Sequence, residues 1–501
     1  MITNHTEYQA IERRFTRLAA IHDALGVLGW DSQTMMPTGA ADGRAAQMAA
    51  LRVIVHELLT DSRLADELAA AEVEAGLTVW QRANLREMRH AWIHANAVPS
   101  ELVEASSRAA SACEMIWRTA RPAGDFGALL PAFTEVLELQ REIGAAKAAA
   151  LGCTPYEALL DAYEPGVRIA MIDPLFNDLA EFLPEFLPRV LERQATLPAP
   201  RPLDGRFPVE TQRILGERLM RAVGFDFNRG RLDVSLHPFC GGATNDVRLT
   251  TRYNETNFTV SVMAVLHETG HALYEQGRPA AWLTQPVGLA RGMAMHESQS
   301  LIIEMQAARS RPFLEFLAPL VRQTFGYTGP AWQADNLWRH YTRVEPGFIR
   351  IEADEITYPA HVILRYRLER AMIAGDLAPA DLPAAWNDEM QALLGITPPD
   401  DRRGCLQDIH WPSGGWGYFP TYTLGAAIAA QLFETARLAD PGIMQGLSRG
   451  DFVPLVGWLR THIHAKGSLL STDDLLTVAT GRPLDVSVYR RHLERRYWDG
   501  E

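Results

Sequence analysis

The sequence predicts a mostly α-helical body with one small antiparallel β-sheet, and three observations carry that reading. Apolar residues recur at spacings of three and four from residue 5 to about 200, and again from about 259 to 501. Strict alternation of apolar and polar residues occurs only between about 231 and 258. The breaks between periodic runs fall at proline pairs and Gly-rich stretches.

In the N-terminal half, 1–230, Phe15, Leu18, Ile21 and Leu25 mark one helical face. Breaks are expected at Met36-Pro37, at Val98-Pro99-Ser100 and at Leu197-Pro198-Ala199-Pro200, with a helix starting near Glu101. The sheet is expected at 231–258. Leu232-Asp233-Val234-Ser235-Leu236-His237 and Val247-Arg248-Leu249-Thr250-Thr251-Arg252-Tyr253 both alternate, with Gly241-Gly242 between them. From 259 to 501 helical spacing returns, interrupted chiefly by a Gly- and aromatic-rich stretch at 404–425. No repeat and no low-complexity tract divides the 501 residues, which read as a single body.

Composition excludes several classes. The net charge of −13 argues against a general nucleic-acid binder, which needs a basic footprint. Only Lys147 and Lys466 are lysines, and no GxxxxGK[ST] phosphate loop is present. Cys113, Cys153, Cys240 and Cys405 form no CxxC pair, so a disulfide framework or cysteine zinc site is not expected, and a reducing cytoplasm fits. The N-terminus, MITNHTEYQAIERRF, lacks a signal-peptide core, and the apolar run 424–433 is too short to span a bilayer.

The chemistry concentrates in one predicted helix, 258–276, closed by Gly277 in the position after the last helical residue. It carries His267-Glu268-Thr269-Gly270-His271. The i,i+4 spacing puts both imidazoles on one face, where they can grip a divalent ion at about 2.0–2.1 Å. Glu268 lies beside the first imidazole and can take a proton from water at the metal. An accidental match would occur in roughly a few per cent of chains this long. Gly270 sharpens the signal, because glycine inside a helix costs about 1 kcal/mol against alanine unless close packing demands it. A catalytic zinc site needs a third protein ligand. A second predicted helix, 288–308, offers His296, Glu297 and Glu304. Glu297 is the chosen ligand and His296 a packed or supporting histidine; Glu304 either orients a ligand histidine or forms a simple ion pair.

Further motifs stand in order along nearly the full length. They are Leu28-Gly29-Trp30-Asp31 with Thr34-Met35-Met36-Pro37, His237-Pro238-Phe239, Asp246-Val247-Arg248-Leu249-Thr250, and His296-Glu297-Ser298-Gln299. Ile349-Arg350-Ile351-Glu352-Ala353-Asp354, Gly404-Cys405-Leu406-Gln407-Asp408-Ile409-His410-Trp411 and Gly415-Trp416-Gly417-Tyr418-Phe419-Pro420 follow. With these motifs the chain resembles the carboxypeptidase Taq family, the M32 metallocarboxypeptidases, and departs from the pattern at no motif position. The resemblance implies a helical fold with a deep groove, a homodimer, and removal of single C-terminal residues with broad specificity. It also implies Zn2+ with Co2+ as a substitute, His267, His271 and Glu297 as ligands, and Glu268 as the catalytic residue.

Arg350 sits among Glu352, Asp354 and Glu355. It reads either as part of an ion-pair network or as the fork that binds a peptide's C-terminal carboxylate, and the family motif favours the second. Arg248 is expected to share that role or to block the groove's end. His410 and Tyr418 are candidate donors to a developing oxyanion, against the alternative that Trp411, Trp416 and Phe419 merely pack the loop. His237 is a weaker candidate for the same work. His462 and His464 are expected to be helix-end or packed residues. The rival readings are a related zinc peptidase that cuts internally or removes dipeptides, and a helical binding protein with a vestigial metal site. An intact Glu268 argues against the latter.

Overall fold

Three helix limits lie at prolines that interrupt the apolar spacing, although other prolines, such as Pro184 and Pro188, lie within a helix. The structure, a computed structural model, describes residues 6–500; residues 1–5 of the N-terminal stretch read for a signal peptide lie outside the described residues. The first helix, Thr6–Thr34, stops ahead of Pro37. Ser100–Ala123 starts directly after Pro99, and Ile169–Thr196 ends ahead of Pro198 and Pro200, which lack the N–H that a further turn requires.

Phe15 and Leu18 of the first helix are buried with Tyr8 and Ile11 against Leu64, Leu68, Leu85 and Met88, forming a small core of their own. Burying side chains of this size is worth roughly 1.5–3 kcal/mol each. A polar clamp fastens this cluster to the rest of the chain. The buried Asn84 donates to Tyr8 Oη (2.9 Å) and Gln285 Oε1 (3.0 Å), and accepts from the Val287 amide (3.2 Å). The main apolar core runs without interruption through helices from Ala109 to Tyr497.

The small sheet is where expected, but its pairing differs. Strands β1 (Gly230–Val234), β2 (Cys240–Ala243) and β3 (Asp246–Thr251) lie in the order β1-β3-β2. The two alternating segments, β1 and β3, pair parallel with Leu232 opposite Leu249; only β2 and β3 are antiparallel. The sheet is therefore mixed. The Gly241-Gly242 pair is not a turn but part of the middle strand in sequence, which forms the hairpin with β3 and leaves β1 to join from the other side. Gly242 has φ +102°, and a Cβ there would meet Asp246 O at 2.2 Å. Val247 and Leu249 point from β3 onto Val265 and Ala272 of the helix Phe258–Gly277, so the sheet rests on the back of the histidine helix.

Gly277 ends that helix without a left-handed cap; a Cβ there would press on the His464 ring at 2.7 Å, so close packing accounts for the glycine. Among the described residues, no helix is long and apolar enough to cross a membrane.

Candidate active site

The helix Phe258–Gly277 is buried on most sides, so its polar residues must find partners within the protein. It starts at Asn257, whose side chain accepts from the Thr259 amide at 3.0 Å. Opposite lies the helix Met293–Leu301, followed by a π-helical stretch, Ile302–Ala308. The Glu164 carboxylate, 2.7 Å from the Ala294 amide, satisfies the start of that second helix. At Gly270 the two helices touch backbone to backbone: a Cβ there would lie 2.4 Å from Gln299 O and 2.5 Å from Ser300 Cα. Gly425, on the helix Pro420–Ala439, lets a third backbone close on Glu297, whose Cβ and Cγ would lie 2.8 Å from an added Cβ.

This packing brings Glu297 Oε2 to 3.4 Å from His271 Nε2 and 3.9 Å from His267 Nε2. Ligands held tetrahedrally about one ion at about 2.0–2.1 Å stand about 3.4 Å apart, so the donor set fits a divalent metal after a shift of a few tenths of an ångström. The outer nitrogens are engaged elsewhere. His267 Nδ1 lies 2.9 Å from Glu304 Oε2, and Arg309 donates to the other oxygen of Glu304 at 2.6 Å. Both readings of Glu304 are therefore realised: it orients a histidine and pairs with an arginine. His271 Nδ1 lies 3.1 Å from the His296 carbonyl oxygen and 2.7 Å from His296 Nδ1, while His296 Nε2 faces Glu275 at 3.0 Å. His296 thus supports His271. In the neutral form with its proton on Nδ1, each imidazole would turn an Nε2 lone pair towards Glu297, as a metal ligand must.

The site is short of positive charge. Burial lowers the His267 pKa, but Glu297, Glu304 and Glu268 outweigh it and lift the value to about 10. His271, also buried, is held down to about 4. Burial raises Glu297, yet the histidines bring it to about 2. A proton on His267 occupies the role a cation would fill, so metal binding would release it. Glu268 is 7% exposed, and burial pushes it up to about 7, His267 lowering and Glu297 raising it.

His267, Glu268 and Glu297 line a cavity of about 430 Å³ together with Arg350, Tyr358 and Tyr422. Arg350 is buried in a short 3₁₀ turn, Arg350–Glu352. Its Nε (3.2 Å) and Nη2 (2.8 Å) donate to Asp408 Oδ1, and Nη1 donates to Tyr358 Oη at 2.8 Å. Two of its five N–H groups remain for a ligand. The acids near it in sequence do not hold it. Glu352 is exposed, Asp354 accepts the Ile356, Thr357 and Glu345 amides, and Glu355 binds His492 (2.7 Å), Arg496 (2.8 Å) and Tyr497 (3.0 Å). Asp408 does the holding, with Arg365 on its other oxygen, and the two arginines keep its carboxyl well below the usual range despite burial.

The other candidates surround this cavity or lie apart from it. His410 packs on Phe419, with Nδ1 3.9 Å from Asp408, and burial lowers its pKa to about 4. Tyr418 stands edge-on to Tyr163 and Tyr422 and hydrogen-bonds Tyr422. Neither is among the residues that line this cavity. The tyrosines that line it are Tyr358, Tyr422 and Tyr489, which sequence reasoning missed, although Tyr422 lies only four residues after Tyr418. Arg248 is paired with Asp246 and stacked over Trp30 at 4.3 Å, and His237 is exposed after β1; neither lines this cavity. His464 is buried against Tyr274 and Gln299, and His462 stacks on Trp458, away from the histidine pair. The four cysteines are unpaired.

Residues 10–497 match the family model described as carboxypeptidase Taq (M32) metallopeptidase. The chain is 38% identical to thermostable carboxypeptidase 1 of Thermus thermophilus, over 99% of both chains. Among solved structures, Trypanosoma cruzi metallocarboxypeptidase 1 superposes with a TM-score of 0.97 at 44% identity, covering 99% of this chain and all of the other. The M32 carboxypeptidase of Deinococcus radiodurans gives 0.93 at 34% identity over 99% of each.

Proposed function

The chain belongs to the carboxypeptidase Taq (M32) metallopeptidase family, and from that premise we propose that His267, His271 and Glu297 hold its metal, Glu268 moves the proton and Arg350 reads the substrate's free C-terminus. The protein is a metal-dependent carboxypeptidase. One observation carries the residue roles: His267, Glu268, Glu297 and Arg350, which has two uncommitted N–H groups, border one cavity, and His271 Nε2 lies 3.4 Å from Glu297 at its edge.

His267, His271 and Glu297 would hold a divalent ion, which when bound would supply Lewis acidity to a carbonyl and to water. Arg350 anchors the terminal carboxylate with a planar fork that lysine cannot reproduce, and Asp408 keeps that fork aimed. Glu268, buried beside His267, takes a proton from the attacking water and delivers it to the leaving nitrogen. Tyr358 and Tyr422 stand at the cavity wall, with Tyr418 packed on Tyr422 and His410 on Tyr418. Two imidazoles and one carboxylate suit zinc, with cobalt as a substitute. Leu301, Met305, Ile351, Ala353 and Ala426 give the cavity apolar wall for the departing side chain, while its charged members Glu304, Arg309 and Glu355 are paired within the protein, in keeping with broad specificity on peptides. A single catalytic body acting as a cytoplasmic homodimer completes the reading, which rests there on the family and on the unpaired cysteines.

The test is a timed digest of one peptide as free acid and as C-terminal amide, read by mass spectrometry with metal-loaded enzyme. The acid should lose one residue at a time, and the amide should be poor. Charged hydrogen bonds are worth roughly 1.5–3 kcal/mol each, so Arg350→Ala should slow cleavage of the acid by about 10²–10⁴-fold and change the amide little. Equal slowing of both peptides makes Arg350 structural.

A further inference from the structure

Away from the site above, a second group of side chains converges as metal ligands do. His90 and His94 lie one turn apart on the helix Val79–Asn96, and Asp161 directly follows the helix Pro155–Leu160. His90 Nε2 lies 2.6 Å and His94 Nε2 3.0 Å from the same oxygen, Asp161 Oδ2. The other oxygen accepts the Gly166 amide at 2.8 Å and faces Arg168 at 3.5 Å. The Asp161 side chain is only 3% exposed, so its orientation is set before any ligand arrives. The three donor atoms lie within 4.8 Å of one another.

We propose that His90, His94 and Asp161 form a second divalent-cation site, suited to a borderline ion such as zinc or cobalt. The donor set repeats that of the first site: an i,i+4 histidine pair on one helix and a carboxylate from another element. Donors around an ion at about 2.0–2.2 Å stand about 3.0–3.4 Å apart, tetrahedral or octahedral. His94 already meets that spacing. His90, 27% exposed on the wall of a cavity of about 650 Å³, has room to draw back by a few tenths of an ångström.

Two differences from the first site define what this one does. Ala91 follows His90 where Glu268 follows His267, and Glu87 on the same cavity wall is held by Arg86 and Arg291, so the site binds an ion without hydrolytic chemistry. Its charge surroundings are also less favourable: Lys147 acts on His94 and Arg168 faces Asp161. The first site is instead crowded by Glu268, Glu297 and Glu304. The second ion therefore binds only at higher free metal. The same 650 Å³ cavity also reaches His296 and Glu275, so the ion has a solvent path and sits on a wall shared with the back of the catalytic site.

The experiment is equilibrium dialysis of the full-length enzyme against buffered free Zn2+, with bound metal counted per chain. Wild type should take one ion first and a second at 10²-fold or more higher free zinc. His90→Gln/His94→Gln should stop at one ion and keep wild-type peptide hydrolysis at low zinc. Wild type that stays at one ion up to a thousandfold excess over the first midpoint overturns the proposal, as does a double variant that still takes the second. Should the double variant lose the first ion too, the single variant His90→Gln, at the most exposed of the three ligands, is titrated in its place. Loss of its second ion supports the site, and retention overturns it.

Discussion

A carboxylate that exchanges protons near neutral pH needs surroundings that do not overly favour its charge, and Glu268 has them in its burial between His267 and Glu297. Glu268→Gln should keep the fold and the metal while lowering kcat by about 10²–10⁴-fold, the usual range for a lost general base. Metal content and kcat measured on one sample check this; wild-type kcat at full metal removes Glu268 from the mechanism. Ligands and supporting residues separate by the size of their effect. Glu297→Ala should weaken zinc binding most, whereas His296→Ala and Glu304→Ala should each cost about 10–100-fold, as expected for residues that only orient a ligand. A zinc titration in which Glu304→Ala is weaker than Glu297→Ala reverses the assignment. The histidine pair was legible in the sequence because its spacing is a local property of one helix. The partner of Arg350 was not: Asp408 lies far along the chain, and only the fold brings it nearer than the adjacent Glu352 and Asp354.

Among the elements, what was legible follows the same division. Helix limits at Pro37, Pro99 and Pro198 were legible because proline there coincides with the end of the apolar periodicity, whereas Pro184 and Pro188 sit inside an unbroken period and a continuous helix. Gly270 announced a close helix contact because nothing else offsets its cost in a helix. The direction of β1 against β3 was illegible, since alternation specifies which face is buried and not which neighbour is parallel. The π-helical stretch that carries Glu304 was equally hidden. One further carboxylate matters at this scale. Glu369, fully buried in the helix Tyr358–Ala374, accepts from Trp411 Nε1 (2.8 Å), Tyr156 Oη (2.8 Å) and the Gly417 amide (3.4 Å), and so anchors the aromatic stretch that carries Asp408 and His410. Burial pushes its pKa up to about 7 in spite of those hydrogen bonds. The folded state therefore keeps this proton after the unfolded chain, near its ordinary value of 4.5, has released it. Its contribution is fully present below that ordinary value and is lost as pH rises towards 7, a change on the order of 3 kcal/mol. Glu369→Gln should abolish that part of the decline, as read by denaturant unfolding of both proteins between pH 5 and 8. An identical slope in the variant refutes it.

The molecule as a whole is not uniformly held. The main core is continuous from Ala109 to Tyr497, but the N-terminal helices have a small cluster of their own, and Ala41–Thr60 buries no residue fully. Regions with few buried contacts open at lower free energy than the global unfolding. Amides of Ala41–Thr60 should exchange with deuterium well before those of Phe258–Gly277, which mass spectrometry of peptic fragments would show; equal protection contradicts this. The opposite end of the chain is tied down beside the chemistry, through Arg496 and Tyr497 on Glu355, a residue that lines the catalytic cavity. Fraying of the last helical turns would therefore reach the catalytic cavity, because losing Arg496 and Tyr497 leaves the buried Glu355 carboxylate on its wall short of partners.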